Sequence, residues 1–138
     1  MAIKTARQIN AERVVFSDIP NLFSVHPITQ DLTTRKNEDS IRQSIKNLLL
    51  TDKEERLMQP DIGGNIRALL FENISPQTET ALKTRIYNTI ERFEPRCQLI
   101  DVLVSGDLDR NQYAVAVIFH TINSEEATQV NFVLDRVR

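Results

Sequence analysis

Apolar residues along the chain change their spacing twice, and these changes predict how it is organised. Over residues 1–37 the apolar positions are irregular and are interrupted by Pro20 and Pro27. Because proline pushes the preceding residue toward extended geometry, we predict an extended N-terminal arm that lies on its own surface or on a neighbour's. Helical and then strand patterns follow without a linker, which predicts a single domain over residues 38–138.

Helical spacing occurs in three segments of this domain. Asn37 can cap the first helix, a short second helix is predicted over residues 65–71, and the third begins with Ser75 as N-cap and Pro76 as first helical residue. The apolar stripe of the first helix recurs at i, i+4, i+7 and i+8 and consists of Ile41, Ile45, Leu48 and Leu49.

After Pro95 the period changes from 3.6 to 2, which is typical of strands. Alternation places Tyr113 and every second residue of its strand on one face. The connections are short and polar, so the three strands are predicted to form an antiparallel meander over residues 98–106, 112–121 and 129–137. The predicted fold class is α+β, with two to three helices packed on this C-terminal meander.

Composition and charge exclude several function classes. The chain has 138 residues, of which 41% are hydrophobic and 26% are charged, and its net charge is −2. A chain of this size can bury a core without metals, and the charge gives no reason to expect nucleic acid or an acidic membrane as partner.

The single Cys97 excludes an internal disulfide, and no apolar run resembles a secretory signal or a membrane span. We expect a soluble protein made in a cytoplasm.

Catalytic and cofactor motifs are absent from the sequence. Gly63 and Gly64 lack the surroundings of a phosphate-binding loop, and neither His26 nor His120 has partners at metal-ligand spacing. No cofactor, metal or small-molecule substrate is therefore expected. A glycosidase needs only two carboxylates, but the chain has no Trp and no sign of a sugar cleft, so we expect no enzyme. The carboxylates that could form such a pair are Glu91, Glu94, Asp101, Asp107 and Asp109.

The triplet Glu94-Pro95-Arg96, between the third helix and the first strand, has two interpretations. It can be a local ion pair that ends the helix, worth less than about 1 kcal/mol if exposed. Alternatively, the stiff proline holds a docking point, with the Arg96 guanidinium ready for carboxylates or carbonyls of a partner. Spacing alone favours the local pair.

Four motifs in order resemble the baseplate wedge family of contractile-tailed bacteriophages, a family also called lysozyme-like and found in type VI secretion baseplates. The resemblance is clearest over residues 41–104, and Gly64 and Asn65 depart from the family pattern. The motifs are IKNLLLT at residues 45–51, Pro60 with Gly63, LFEN at residues 70–73, and Glu94-Pro95-Arg96.

This resemblance implies a structural protein of the virion tail baseplate, present in several copies per ring. It implies that Glu94, Pro95 and Arg96 contact the wedge core-bundle proteins, and it adds tube or hub proteins as further partners. It also implies that the C-terminal sheet starts polymerisation of the tail sheath protein by exchanging strands. An unpaired sheet edge suits that role, and the residues expected to carry it are Val130, Asn131, Phe132, Val133 and Leu134.

Two alternatives remain open at this point. The lysozyme-like label raises a peptidoglycan hydrolase, with Glu94 as the best available acid. The other is a scaffold subunit of some assembly that has no sheath.

Overall fold

The computed structural model describes residues 15–122 and 126–136, so the first part of the predicted arm lies outside the described residues. The chain divides into two compact units, one ending at Ser40 and the other starting at Ile41. The division falls inside the first helix, α1, which spans Asn37–Leu50.

The N-terminal unit contains a small hairpin. β1, Ser17–Asp18, pairs antiparallel with β2, Arg35–Lys36. An isolated bridge joins Val25 to Leu32 within the connection. The segment that the sequence predicts as an extended arm thus turns back on itself in this region. It leaves large apolar side chains in solvent, among them Leu22, Phe23 and Ile28.

The helices form where the apolar spacing predicts them. The backbone of Ser75 is extended, and its hydroxyl accepts a hydrogen bond from the Thr78 N–H at 3.2 Å. Ser75 is therefore the N-cap and Pro76 the first helical residue, as predicted. After α1, the helices are α2, Ile66–Leu70, and α3, Pro76–Phe93.

Three antiparallel strands complete the C-terminal unit in the order β3-β4-β5. They are β3, Cys97–Asp107, β4, Gln112–Thr121, and β5, Ala127–Asp135. The predicted meander and the α+β class are confirmed. The register shifts between Leu99 and Asp101, which marks a β-bulge that the alternation in the sequence did not reveal.

One face of the sheet is buried against the helices. Tyr113, Val117 and Phe119 on β4 are fully buried, and Val115 is 2% exposed. These residues share one face, as the alternation predicts, and the structure shows that it is the inner face. The helices bury Ile41, Ile45, Leu82, Ile86 and Ile90. Removal of this apolar surface from water is the main contribution to stability.

Candidate partner-binding sites

The Glu94-Pro95-Arg96 triplet forms the corner between α3 and β3. The N–H of Glu94 donates the last helical hydrogen bond, to the Ile90 carbonyl at 2.8 Å. Pro95 cannot continue the helix, and Glu94 has already left helical geometry, with φ −124° and ψ 75°. We call this segment the corner.

Within the corner, Arg96 and Glu94 form a bidentate ion pair. Arg96 Nε donates to Glu94 Oε1 at 2.6 Å and Nη2 donates to Oε2 at 2.8 Å. The Glu94 side chain is only 3% exposed and that of Arg96 is 31% exposed. The local ion pair is therefore formed, and it is largely buried. Two parallel hydrogen bonds between a guanidinium and a carboxylate are stronger than hydrogen bonds between neutral groups.

The charge of Glu94 is stabilised inside the protein. Burial by itself would raise the pKa of this carboxyl, but hydrogen bonds from Arg96 and Ser44, together with the Arg96 charge, outweigh burial and lower the pKa below its usual value. Ser44 belongs to α1, so the carboxylate links α1, the end of α3 and the start of β3. The corner is consequently rigid.

Only part of the corner reaches the surface. Pro95 is exposed and Arg96 is partly exposed, while Glu94 lies beneath them. A groove of about 440 Å³ runs beside Pro95. A partner would therefore meet Pro95 and the rim of Arg96, with Glu94 positioning the guanidinium from below. The groove is lined by Tyr87, Glu91, Pro95, Cys97, Gln98, Leu99 and Ile122.

Hydrogen bonds at both ends of β4 show which backbone groups face out of the sheet. The Ile122 N–H donates to the Arg96 carbonyl at 3.3 Å, and the Arg136 N–H donates to the Asn111 carbonyl at 3.1 Å. Bonding direction alternates along an antiparallel strand. Even-numbered residues of β4 therefore bond to β3, and odd-numbered residues bond to β5.

The register then identifies the free backbone groups of β5. Val130, Phe132 and Leu134 face odd-numbered residues of β4 and use their backbone groups there. The N–H and C=O groups of the alternate residues point away from the sheet, and no strand of the described ranges pairs with them. We call these groups the open edge; they belong to Gln129, Asn131, Val133 and Asp135.

All five residues that the resemblance implied for strand exchange lie together on β5. Val130 and Phe132 are partly exposed on the helix-covered face, because nothing in the described chain extends beyond them. Leu134 is 5% exposed on the same face. Asn131 and Val133 have side chains on the opposite face, and both contribute backbone groups to the open edge.

The outer edge of β3 is closed by α3. The N–H of Gly106, which points away from β4, donates to Glu79 Oε1 at 2.8 Å. A Cβ at position 106 would lie 2.5 Å from Ile74 Cγ2 and 2.8 Å from Glu79 Oε1, so only glycine allows this approach. Further along, Lys83 Nζ pairs with Asp101 Oδ1 at 2.8 Å. We call this side the closed edge.

No pattern in the sequence predicts the closed edge. Glu79 has the ordinary signature of an acidic residue in the first turn of a helix, and no spacing rule links it to Gly106. The only signal was the isolated glycine within a strand pattern, which can mark a close approach of another segment.

The geometry offers little for catalysis. A general acid needs a raised pKa and access to substrate, whereas Glu94 has a lowered pKa and is enclosed by its ion pair. Burial raises the pKa of the Cys97 thiol to about 11, so this sulfur stays protonated at neutral pH and is a poor nucleophile. Within the described ranges no cluster of metal-ligating side chains occurs, and no helix is long and apolar enough to cross a membrane.

Two comparisons with known sequences indicate the same protein family. Residues 35–132 match the family of the baseplate wedge protein gp25. The chain is also similar to baseplate wedge protein gp25 of Enterobacteria phage T4, with 28% identity over 96 residues that span 69% of this chain and 73% of that protein.

Solved structures share the fold. A candidate tail lysozyme from Geobacter sulfurreducens matches with a TM-score of 0.68 and 22% identity, over 73% of this chain and 92% of that one. A chain of the sixfold-symmetrised anti-feeding prophage baseplate matches with a TM-score of 0.61 and 21% identity, over 89% and 87%. A chain of the postcontracted pyocin R2 baseplate matches with a TM-score of 0.55 and 16% identity, over 87% and 98%.

Proposed function

Because the chain belongs to the baseplate wedge protein gp25 family, and so is a structural component of a contractile-tail baseplate, we propose two specific contacts for it. The corner docks on the core-bundle proteins of the wedge, and β5 accepts a strand of the tail sheath protein, which starts sheath polymerisation. Several copies in one ring would present several such strands at the same level. Tube or hub proteins are further neighbours in this arrangement.

The open edge is the observation that carries the proposal. It offers unpaired N–H and C=O groups along β5, and an extended segment can satisfy all of them by pairing. Each backbone hydrogen bond contributes a net stabilisation of only about 1 kcal/mol. Repetition around a ring would add avidity, so a modest edge in each subunit is sufficient to begin a sheath.

The corner supports the docking contact because it is held rigid before a partner arrives. Arg96 is oriented by two hydrogen bonds to a buried carboxylate, so little conformational freedom is lost on binding. Pro95 adds an exposed, stiff apolar surface beside it. A partner carboxylate or carbonyl that approaches Arg96 would meet a guanidinium already in place.

The decisive experiment replaces Asn131 by proline in the parent particle. The Asn131 N–H points away from β4, so Asn131→Pro leaves the internal ladder of the sheet intact while it removes a donor from the open edge. We expect baseplates that carry tubes without polymerised sheath in electron micrographs. Asn131→Ala is the matched control, since it keeps the donor and should form normal tails.

Normal sheaths at wild-type yield in Asn131→Pro would show that strand addition at β5 is not how the sheath begins. Thermal unfolding of the purified variants separates this result from a failure to fold, because the expected melting temperatures of the two variants are close.

A second candidate, peptidoglycan hydrolysis, is raised by the description of the Geobacter sulfurreducens relative as a candidate tail lysozyme. A cell-wall clearing assay that compares wild type with Glu94→Gln tests it. Because Glu94 is buried and ionised, we expect no clearing by either protein. Clearing by wild type alone would contradict the structural role as the whole function.

A further inference from the structure

A second groove, of about 240 Å³, lies beside the last residues of β5. α1 contributes Leu50, which is 56% exposed, and α2 contributes Leu70. Val133 and Asp135, whose backbone groups belong to the open edge, form the opposite wall. Pockets for drug-sized ligands begin at about 300 Å³, so this groove is suited to a side chain and not to a small molecule.

Pairing geometry sets which side chain would enter the groove. An antiparallel strand that bonds to Val133 and Asp135 leaves its residue opposite Leu134 in a non-hydrogen-bonded pair, where facing side chains come closest. Directly opposed residues share a face of the sheet, so that side chain lies on the face of Leu134, which the helices cover. The groove between β5 and the helices lies on this side.

The rim of the groove carries a net negative charge. Three charged residues line the groove: Asp52 and Asp135 carry carboxylates, and Arg67 carries a guanidinium. Asp135 alternates with Leu134, so its carboxylate lies at the end of β5 beside the groove and toward the other face of the sheet. Arg67 Nη1 is 3.5 Å from Asp52 Oδ2, and the Arg67 side chain is 69% exposed. One positive and two negative groups leave one negative charge in excess. This favours a cation on an approaching strand over a carboxylate.

We propose that this groove is a specificity pocket for the strand that is added to β5. It accepts one apolar side chain, from the residue opposite Leu134, and its rim favours a basic residue close to that position. The occupant is an extended segment of the tail sheath protein. The inference rests on the proposed function and deepens it, because it states which strands the open edge accepts.

Leu50 provides the direct test. Leu50→Gln places a polar group in the groove without changing the open edge. Since Leu50 is more than half exposed, the fold should persist, and a thermal melt checks this. We expect at least tenfold fewer sheath-bearing tails in electron micrographs. Leu50→Met keeps the groove apolar, and Leu57→Gln changes a leucine that is 97% exposed and lies outside the groove, so both controls should match wild type.

The charge of the rim is tested by Asp135→Lys, which reverses an exposed carboxylate at the end of β5. We expect a severalfold loss of sheathed tails that is larger at low salt than at high salt, as screening of a charge contact requires. Sheathing at the wild-type level at every salt concentration would remove the basic residue from the proposal.

The outcomes separate this inference from the proposed function. If Asn131→Pro prevents sheathing while Leu50→Gln sheathes normally, strand addition stands and the pocket is overturned. If Asn131→Pro sheathes normally, both are overturned. Should Leu50→Gln fail to fold, a photoreactive leucine analogue at position 50 replaces it. A cross-link to an apolar sheath residue supports the pocket, and sheathed tails without such a cross-link overturn it.

Discussion

The two edges of the three-stranded sheet differ in how the chain treats them. At the closed edge, α3 approaches β3 so tightly that the Glu79 carboxylate accepts the N–H of Gly106 at 2.8 Å. At the open edge, no described strand or helix bonds to the outward groups of β5. In this sheet α3 lies against one edge and accepts the Gly106 N–H there, whereas the outward groups of β5 have no partner among the described strands and helices.

This difference matters because proteins normally protect exposed edges. Common devices are a proline, a lysine or a charge in the edge strand, or a helix laid over it. β5, ATQVNFVLD, has no proline and no lysine, and its only charge is the terminal Asp135. Protection was available in this fold, since α3 provides it on the other side. The unprotected edge is thus consistent with a surface reserved for a partner.

The largest effect is expected from opening the closed edge. Gly106→Val would force the new side chain against Ile74 and displace Glu79, and we expect a loss of about 3 kcal/mol in the free energy of unfolding, from overpacking and a lost hydrogen bond. Urea denaturation measures it. Ser105→Val, at the adjacent exposed position of β3, is the control and should change stability little. Equal stability of both variants would mean that the close approach of α3 is unimportant.

Next in size is the corner that leads into the closed edge. Arg96→Ala leaves the buried Glu94 carboxylate unpaired, and we expect a loss of about 2 to 3 kcal/mol, below the range for fully buried pairs because Arg96 is partly exposed. Arg92→Ala, an exposed arginine that lies over the Phe93 ring at 5.1 Å, serves as the control.

The same substitution is also expected to stop baseplate assembly, so folding must be separated from docking. The double variant Glu94→Gln with Arg96→Ala removes the unpaired charge and should recover part of the lost stability. It should still fail to assemble. Assembly at wild-type yield by this double variant would show that Arg96 has no part in docking.

A smaller effect is expected in acid. The pKa of Glu94 is lowered in the folded protein, so its contribution to stability is complete above the pKa of about 4.3 that a free glutamate has. The contribution is lost as pH falls from that value through the folded-state pKa. Denaturation midpoints measured between pH 7 and pH 3 should fall more steeply for wild type than for Glu94→Gln. Parallel pH profiles would contradict the buried ion pair.

The smallest effect is expected from Lys83→Ala. This lysine pairs with Asp101 at 2.8 Å, but both side chains are more than two-fifths exposed, and exposed pairs contribute little. We expect no change in melting temperature beyond experimental error. A clear loss of stability would show that the closed edge depends on this pair as well as on the contact between Glu79 and Gly106.

Much of the fold follows from local patterns in the sequence. The cap at Ser75, the first helical residue Pro76 and the set of residues that share a face of β4 were all predicted, because each depends on residues near one another in the chain. The bulge near Ile100 and the contact between Glu79 and Gly106 were not predicted. Both arise from tertiary packing, and alternation or helix-cap rules contain no information about it.

For the candidate sites, the sequence located the segments but not their environment. It placed Glu94 and Arg96 together, since they are two residues apart around a proline. It could not show that the Glu94 carboxylate lies beneath the surface, because that burial depends on Ser44 and the neighbouring helix. Likewise, the alternation over residues 130–134 predicts a strand. The pairing of that strand with β4 determines which of its backbone groups face outward, and the sequence does not show this pairing.

Gly106 also affects how many other molecules can pair with the backbone of this sheet. If α3 were displaced, both edges of the sheet could pair with other strands, and each copy could bind two other copies head to tail. Contacts of that heterologous kind either close into rings or continue as filaments. Because α3 lies against the β3 edge at Gly106, pairing through the backbone is directed to β5, which favours growth from one side of the subunit.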